Sequence, residues 1–308
     1  SLNQKNKLKN SIIKEPGSYR DSYGSVYYHN KRIYRTITEQ GKNSYINLKN
    51  SGLIEKSIDQ GFIVGTKEIP IDNKNFSTKD AAVLLEHDVI PFISFPYEWT
   101  FHQLKAAALH HLKFQIFLLN HDAILRDSTA YNIQFFGTKP IFIDLPSMQL
   151  YKKGEYWQGY RQFCEQFLYP LLLNSKSGVS HNNIYRGSMF GMNADTISKL
   201  IPFYKKFSLN FILHVTLQSL AAKKTLGNEE LVAKKIKKQK HLPKKSYMAL
   251  LEQLYSWISN LKINEKNVTT WGKYELENSY LTKETEHKHE VIRKFIKRIK
   301  PDLLIDLG

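Results

Sequence analysis

A single cysteine, Cys164, stands in 308 residues, so no disulfide can close within the chain and no cysteine cluster can hold a metal. That scarcity fits a reducing compartment, and its setting places Cys164 in the core of a helix. Long apolar runs are missing as well. Nothing approaches the ~18 residues that a bilayer span requires, and the Lys/Asn-rich start lacks the apolar stretch of a signal peptide. A soluble, cytoplasmic protein without a membrane partner is expected. No internal repeat is evident. Acid is in deficit: 28 Asp plus Glu face 45 Lys plus Arg, a formal charge of +17. Such a balance favours anionic partners such as nucleotides, phosphorylated sugars or nucleic acid without choosing among them.

What is present is the composition of an ordinary globular protein, 42% hydrophobic and 24% charged, long enough to bury a sizeable core in two domains or one two-lobed one. Seven lysines crowd into "KKIKKQKHLPKK" from Lys234 to Lys245. This segment has few apolar anchors and is expected to form a solvated helix end and lid, the alternative being a docking patch for an anion. It lacks the interleaved aromatics of an RNA-binding surface, so nucleic acid is the least favoured partner.

The first fifteen or so residues are expected to fray. "GSYRDSYGSVYYHNKRIYRTI" then reads as strands turning at Asn30-Lys31, a β-hairpin. A helix is expected from about Ser44 to Asp59. The run "VIPFISFPYEW" is expected to form a buried strand ending in a linker near Trp99. From Thr100 the period becomes helical, with Leu104, Ala108, Leu112, Ile116 and Leu119 on one stripe. "AILRDSTAYNIQFF", the turn Gly137-Thr138-Lys139-Pro140 and "IFIDLPS" read as loop, strand, turn and strand, and residues 156 to 260 as mostly helical. The segments expected on this basis are 1–99, strand-rich; 100–260, helical; and 261–308, a linker, a helix and one last strand.

Chemistry concentrates between Leu125 and Asp144. Asp127 is followed five residues on by Asn132, and twelve further on Asp144 ends an apolar strand. This order gathers three polar side chains at one end of a β-hairpin. Phosphoryl transfer needs such a set: a carboxylate near the attacking hydroxyl, and hard oxygen ligands that hold magnesium against the phosphates. A lone Asp and Asn five apart also cap turns in many loops, so the order of the surrounding elements carries the weight. His110 and His111, and likewise His287 and His289, lack the partner spacing of a zinc site. Tyr160, Arg161 and Glu165 suit a salt-bridged helix face.

"LRDSTAYN" followed by "IFID" resembles the catalytic loop and metal-binding Asp of protein kinases and related small-molecule kinases. The resemblance implies an α+β, two-lobed kinase-like fold holding Mg2+ and ATP, with Asp127 as catalytic base and Asn132 and Asp144 as metal ligands. Gly24-Ser25-Val26 resembles the end of a Gly-rich loop whose first glycine is Gly17. Arg35 stands where the phosphate-binding lysine is expected, and Leu125 where the loop's opening histidine belongs. Pro96, Tyr97 and Glu98, within "SFPYEW", resemble the hinge that meets the adenine edge.

The stretch from Trp271 to the closing "PDLLIDLG" resembles the lead-in to a class I S-adenosylmethionine-dependent methyltransferase, whose first strand ends in Asp/Glu-x-Gly. Front and end together resemble bacterial methyltransferases of nodulation or polysaccharide-modifying type with a long N-terminal extension. That resemblance implies a cut after the first strand of a Rossmann-like domain, with Asp306, Leu307 and Gly308 its last residues. S-adenosylmethionine then binds only in the longer protein, and the missing methyltransferase domain is a partner. Two functions follow as expectations: a Mg-ATP phosphotransferase acting on a small-molecule or saccharide acceptor, or an inactive pseudokinase that presents an acceptor to the methyltransferase.

Overall fold

The computed structural model describes residues 12–17, 23–71, 81–225, 242–264 and 282–305. The Lys/Asn-rich start through Ser11, lysines 234–240, the stretch from Trp271 through Leu281, and Asp306, Leu307 and Gly308 lie outside the described residues. Two units divide the chain, Ser1–Asn264 and Glu265–Gly308, so the residues on either side of Trp99 belong to one unit.

The first unit opens on an antiparallel five-stranded sheet built from β1 (Ile13–Lys14), β2 (Gly24–His29), β3 (Arg32–Thr38), β4 (Thr66–Ile69) and β5 (Ala81–His87), in the order β1-β2-β3-β5-β4. The hairpin expected at Asn30-Lys31 is present. Both residues take positive φ, 48° and 60°, the backbone of a two-residue turn whose twist matches that of its strands. Opposite the turn, Gly24 pairs with Ile37, and a Cβ at Gly24 would lie 1.8 Å from the carbonyl oxygen of Thr36. This glycine is therefore required by the close approach of β2 and β3, whatever else it does.

One helix expected over 44–59 is two in the structure: α1 (Glu39–Asn50) and α2 (Leu53–Asp59). Gly52, at φ 67°, turns the chain between them in the left-handed region that side chains resist. The expected strand over "VIPFISFPYEW" is absent, and the strand of this region is β5, eight residues earlier. Pro91 and Pro96 withdraw the backbone donors that a central strand needs, and Phe92 is 74% exposed there.

Thr100 caps α3 (Phe101–Asn120). Its hydroxyl accepts from the Gln103 N–H while the Gln103 side chain accepts from the Thr100 N–H, a reciprocal arrangement that satisfies two donors of the first turn. Leu104, Ala108, Leu112 and Leu119 are fully buried. Beyond α3, β6 (Ala123–Leu125) pairs with β9 (Met148–Leu150), and β7 (Ile133–Phe136) forms a hairpin with β8 (Lys139–Phe142). The chain between α2 and β4 joins this hairpin: the Val64 N–H donates to the Phe142 carbonyl at 2.9 Å and the Phe142 N–H to the Phe62 carbonyl at 3.0 Å.

Helices make up most of the rest of this unit: α4 (160–177), α5 (His181–Gly187), α6 (Ala194–Leu200), α7 (209–225) and α8 (Lys244–Ser259). Wider π turns interrupt α4 at Cys164–Leu168 and Leu173–Ser177, and α7 at Ile212–Thr216. Cys164 is buried, and burial pushes its thiol up to about 12, which keeps it a protonated core group. Among the described residues no helix is long and apolar enough to cross a membrane. The whole is a mixed α+β arrangement.

The second unit is described over α9 (Thr282–Ile299) and residues 300–305. Val291, Ile292, Phe295 and Ile299 recur along α9 and are all exposed. Residues 301–305, expected as a strand without its sheet partners, form no strand here. A strand exists only through a neighbour that accepts its ladder, and here Leu303, Leu304 and Ile305 are exposed.

Candidate functional site

Three of the predicted residues meet at the base of the β7–β8 hairpin. Asn132 is the last residue of a single helical turn entering β7, and Asp144 stands two residues beyond β8. The Ile143 N–H donates to the Asn132 carbonyl at 2.9 Å, so the hairpin ladder itself sets the two side chains side by side. Asn132 Nδ2 donates to Asp144 Oδ2 at 3.2 Å. From the five-stranded sheet, Arg35 brings Nη1 to 3.0 Å from Asp144 Oδ1. The register places Arg35 in the middle of the sheet, between Val26 and Leu85.

This ion pair is sheltered, its side chains only 11% and 19% exposed. Removing one partner of such a pair leaves an uncompensated charge away from water, so Arg35 and Asp144 hold each other in place. In α1 the one acid, Glu39, pairs with its own neighbour Lys42 at 3.1 Å. Arg35 of β3 takes a carboxylate from the β8–β9 connection.

Asp127 arrives from the loop after β6, and this loop is pinned on every side. The Arg126 N–H donates to the Ser147 carbonyl at 2.8 Å and the Asp127 N–H to Ser147 Oγ at 3.1 Å, which ties it to the segment just after Asp144. From α4, Gln162 Oε1 accepts from the Ser128 N–H at 2.7 Å, and Gln166 Oε1 accepts both from Thr129 Oγ1 at 2.8 Å and from the Ala130 N–H at 2.9 Å. Tyr185 in turn donates to the Gln166 carbonyl. The carboxylate of Asp127 itself is 43% exposed, with Arg126 Nε at 3.5 Å as its cationic neighbour. A fixed backbone under an accessible carboxylate is the arrangement a general base requires.

Under the loop lies His111, fully buried, its ring against Phe142, Trp157, Phe163 and Phe167 and its Nε2 3.0 Å from Ser128 Oγ. Burial, with His110 adding to it, pulls the imidazole down to about 3. His87 at the end of β5 is lowered likewise to about 3, by burial first and then by Arg35. Both are therefore neutral in the native protein and ordinary, near 6.5, in the unfolded chain. Between those values the unfolded chain binds more protons, so stability present above pH 6.5 is lost as pH falls towards 3. The slope approaches ~1.4 kcal/mol per pH unit for each imidazole. Urea midpoints should drop between pH 7.5 and pH 5, and less steeply in His111→Asn. A midpoint unchanged over that range would contradict the buried neutral assignment.

The remaining predicted residues are arranged differently. Gly17 sits beyond β1, its N–H donating to Glu15 Oε1 at 3.1 Å, and the loop between it and Tyr23 lies outside the described residues. Around Pro96, Tyr97 and Glu98 the polar groups close on the protein. Asn182 Nδ2 donates to the Tyr97 carbonyl at 2.8 Å and to the Trp99 carbonyl at 3.0 Å, and the Phe95 N–H donates to Glu98 Oε2. Gln134 brackets Ser94 with two bonds of 3.0 Å. Arg161 and Glu165 form the expected surface pair at 2.8 Å. Sequence reasoning passed over Gln162 and Gln166. Two amides four residues apart on one helix were the available signal.

Among the described residues no three His, Cys, Asp or Glu side chains gather as a ready metal cage. Magnesium does not need one, because it keeps waters and takes one or two protein oxygens together with phosphates. The Asp144 carboxylate and the Asn132 amide fit that modest demand, with Arg35 as the adjacent cation.

No protein-family profile matches the chain. It is 36% identical over 299 residues to nodulation protein NoeA of Rhizobium meliloti (strain 1021). The match takes in 95% of this chain and 61% of that protein.

Proposed function

We propose that the first unit is a kinase-like, two-lobed module that binds Mg-ATP and transfers its γ-phosphoryl group to a hydroxyl acceptor. The observation that carries this is the convergence of Arg35, Asn132 and Asp144, from two different sheets, beside the loop that holds Asp127. Supporting it is the order of elements: a hairpin, a strand carrying the cation, a helix, a linker, a long helix, then catalytic loop and hairpin.

Asp144 and Asn132 would hold the magnesium, which would supply neutralisation of charge on the phosphates. Arg35 contacts phosphate oxygens as a planar, permanently charged fork. Asp127 takes the proton of the acceptor hydroxyl while the new O–P bond forms and ADP leaves with the electrons of the broken P–O bond. Leu125, fully buried in β6, contributes packing where the family's loop carries a histidine. The acceptor is a small molecule or a saccharide, and a longer form of the protein joins this module to an S-adenosylmethionine-dependent methyltransferase. The similarity to nodulation protein NoeA, of which this chain covers 61%, supports the longer form.

Magnesium and ATP together should raise the melting temperature more than either alone, because a ligand that binds only the native state stabilises it by mass action. Equal shifts with ATP and with Mg-ATP would remove the metal from the account.

A further inference from the structure

A cavity of about 310 Å³ lies behind α1, between that helix, Tyr23 and the chain from Leu145 to Lys152. None of Arg35, Asn132 and Asp144 lines it. Among the described residues two cations do, Arg126 and Lys152, and no carboxylate does. Around them stand the polar side chains of Gln40, Ser44, Asn47 and Gln149, which make no side-chain hydrogen bonds among the described residues. The Arg126 guanidinium carbon lies 4.4 Å from the centre of the Tyr23 ring, and its one acidic contact among the described residues is the 3.5 Å approach to Asp127. Lys152 forms no ion pair among the described residues. The size is at the lower end of small-molecule pockets.

We propose that this cavity is a second ligand site, for a small polar molecule bearing a phosphate or carboxylate group. Paired cations bind such a group by charge-assisted hydrogen bonds, with the arginine fork matching its oxygens. The four amide and hydroxyl side chains supply the polar contacts that a hydroxylated body would use. Arg126 gives the site a route to the chemistry, since an anion drawing the guanidinium into the cavity lengthens its contact with Asp127. That coupling rests on the proposed role of Asp127. Binding in the cavity does not.

The test uses inorganic phosphate and malonate as probes, with chloride at matched ionic strength as control, and reads the melting temperature of the whole chain. Phosphate, malonate or both should stabilise the wild type beyond chloride, and which of them does so identifies the anionic group. Arg35→Gln, which impairs the nucleotide site, should keep the response. Lys152→Ala with Gln149→Leu, neither of them among the phosphoryl-transfer residues, should weaken the apparent affinity for the anion about tenfold or more while keeping the Mg-ATP shift. A response no larger than chloride, or one unchanged by the Lys152/Gln149 pair, would overturn the proposal. Loss of the response in Arg35→Gln alone would assign the anion to the nucleotide site and overturn it equally. Failure of the nucleotide proposal shows separately, as a wild type that responds to an anion but not to Mg-ATP.

Discussion

Asp144→Ala is expected to lose the magnesium-dependent part of nucleotide binding completely. Asp144 is in contact with both Arg35 and Asn132, and without it the site keeps an amide oxygen and a guanidinium, a set too poor in hard anionic oxygen to hold the metal. The substitution also strands Arg35 without the carboxylate found here, and breaking a sheltered pair typically costs about 3–5 kcal/mol. A lower melting temperature therefore accompanies the lost response. Asp144→Asn, which keeps shape and hydrogen bonding, separates the two effects: it should fold more stably than the alanine variant and still fail to gain from magnesium. A magnesium-dependent shift equal to wild type in either variant would show that Asp144 is not the metal ligand.

Removal of the Asp127 carboxylate should act on the chemical step instead. Its backbone N–H bonds to Ser147 Oγ, and that bond survives in Asp127→Asn, so the loop keeps its shape. The lost function is proton acceptance from the acceptor, and general-base removal typically costs about a hundredfold or more in rate. ATP turnover measured with a panel of small-molecule and saccharide acceptors should fall by that factor, with Mg-ATP affinity unchanged. Parallel losses of affinity and rate would make Asp127 a binding residue. Wild type that binds Mg-ATP and turns it over with no acceptor would instead make the module a pseudokinase, serving to present an acceptor.

Local chemistry made part of this legible in advance. The Asn30-Lys31 turn, the helix from Thr100 and the Gly137 hairpin each follow from residues within a few positions of one another, through positive φ, a reciprocal cap and helical period. Asp127, Asn132 and Asp144 could be marked from spacing because hairpin registry carries Asn132 to Asp144 directly. Other features depend on partners far along the chain. Nothing near Arg35 announces Asp144, 109 positions away, and nothing near Ser128 announces His111 or Gln162. The strand expected over 89–99 stands at β5 instead: both stretches are apolar, and the prolines of the one and the ladder of the other to β3 and β4 distinguish them. Gly24 carried a double meaning: its smallness suits a phosphate loop, yet the sheet alone demands it.

The most direct test of the site formed by Arg35, Asn132 and Asp144 is a calorimetric titration of ATP into the wild-type protein, once with excess magnesium and once with a chelator. Binding should be saturable with magnesium and at least about tenfold weaker without it, a difference of ~1.4 kcal/mol. Equal affinity in both titrations, or no binding in either, would contradict a magnesium-nucleotide site at Asp144.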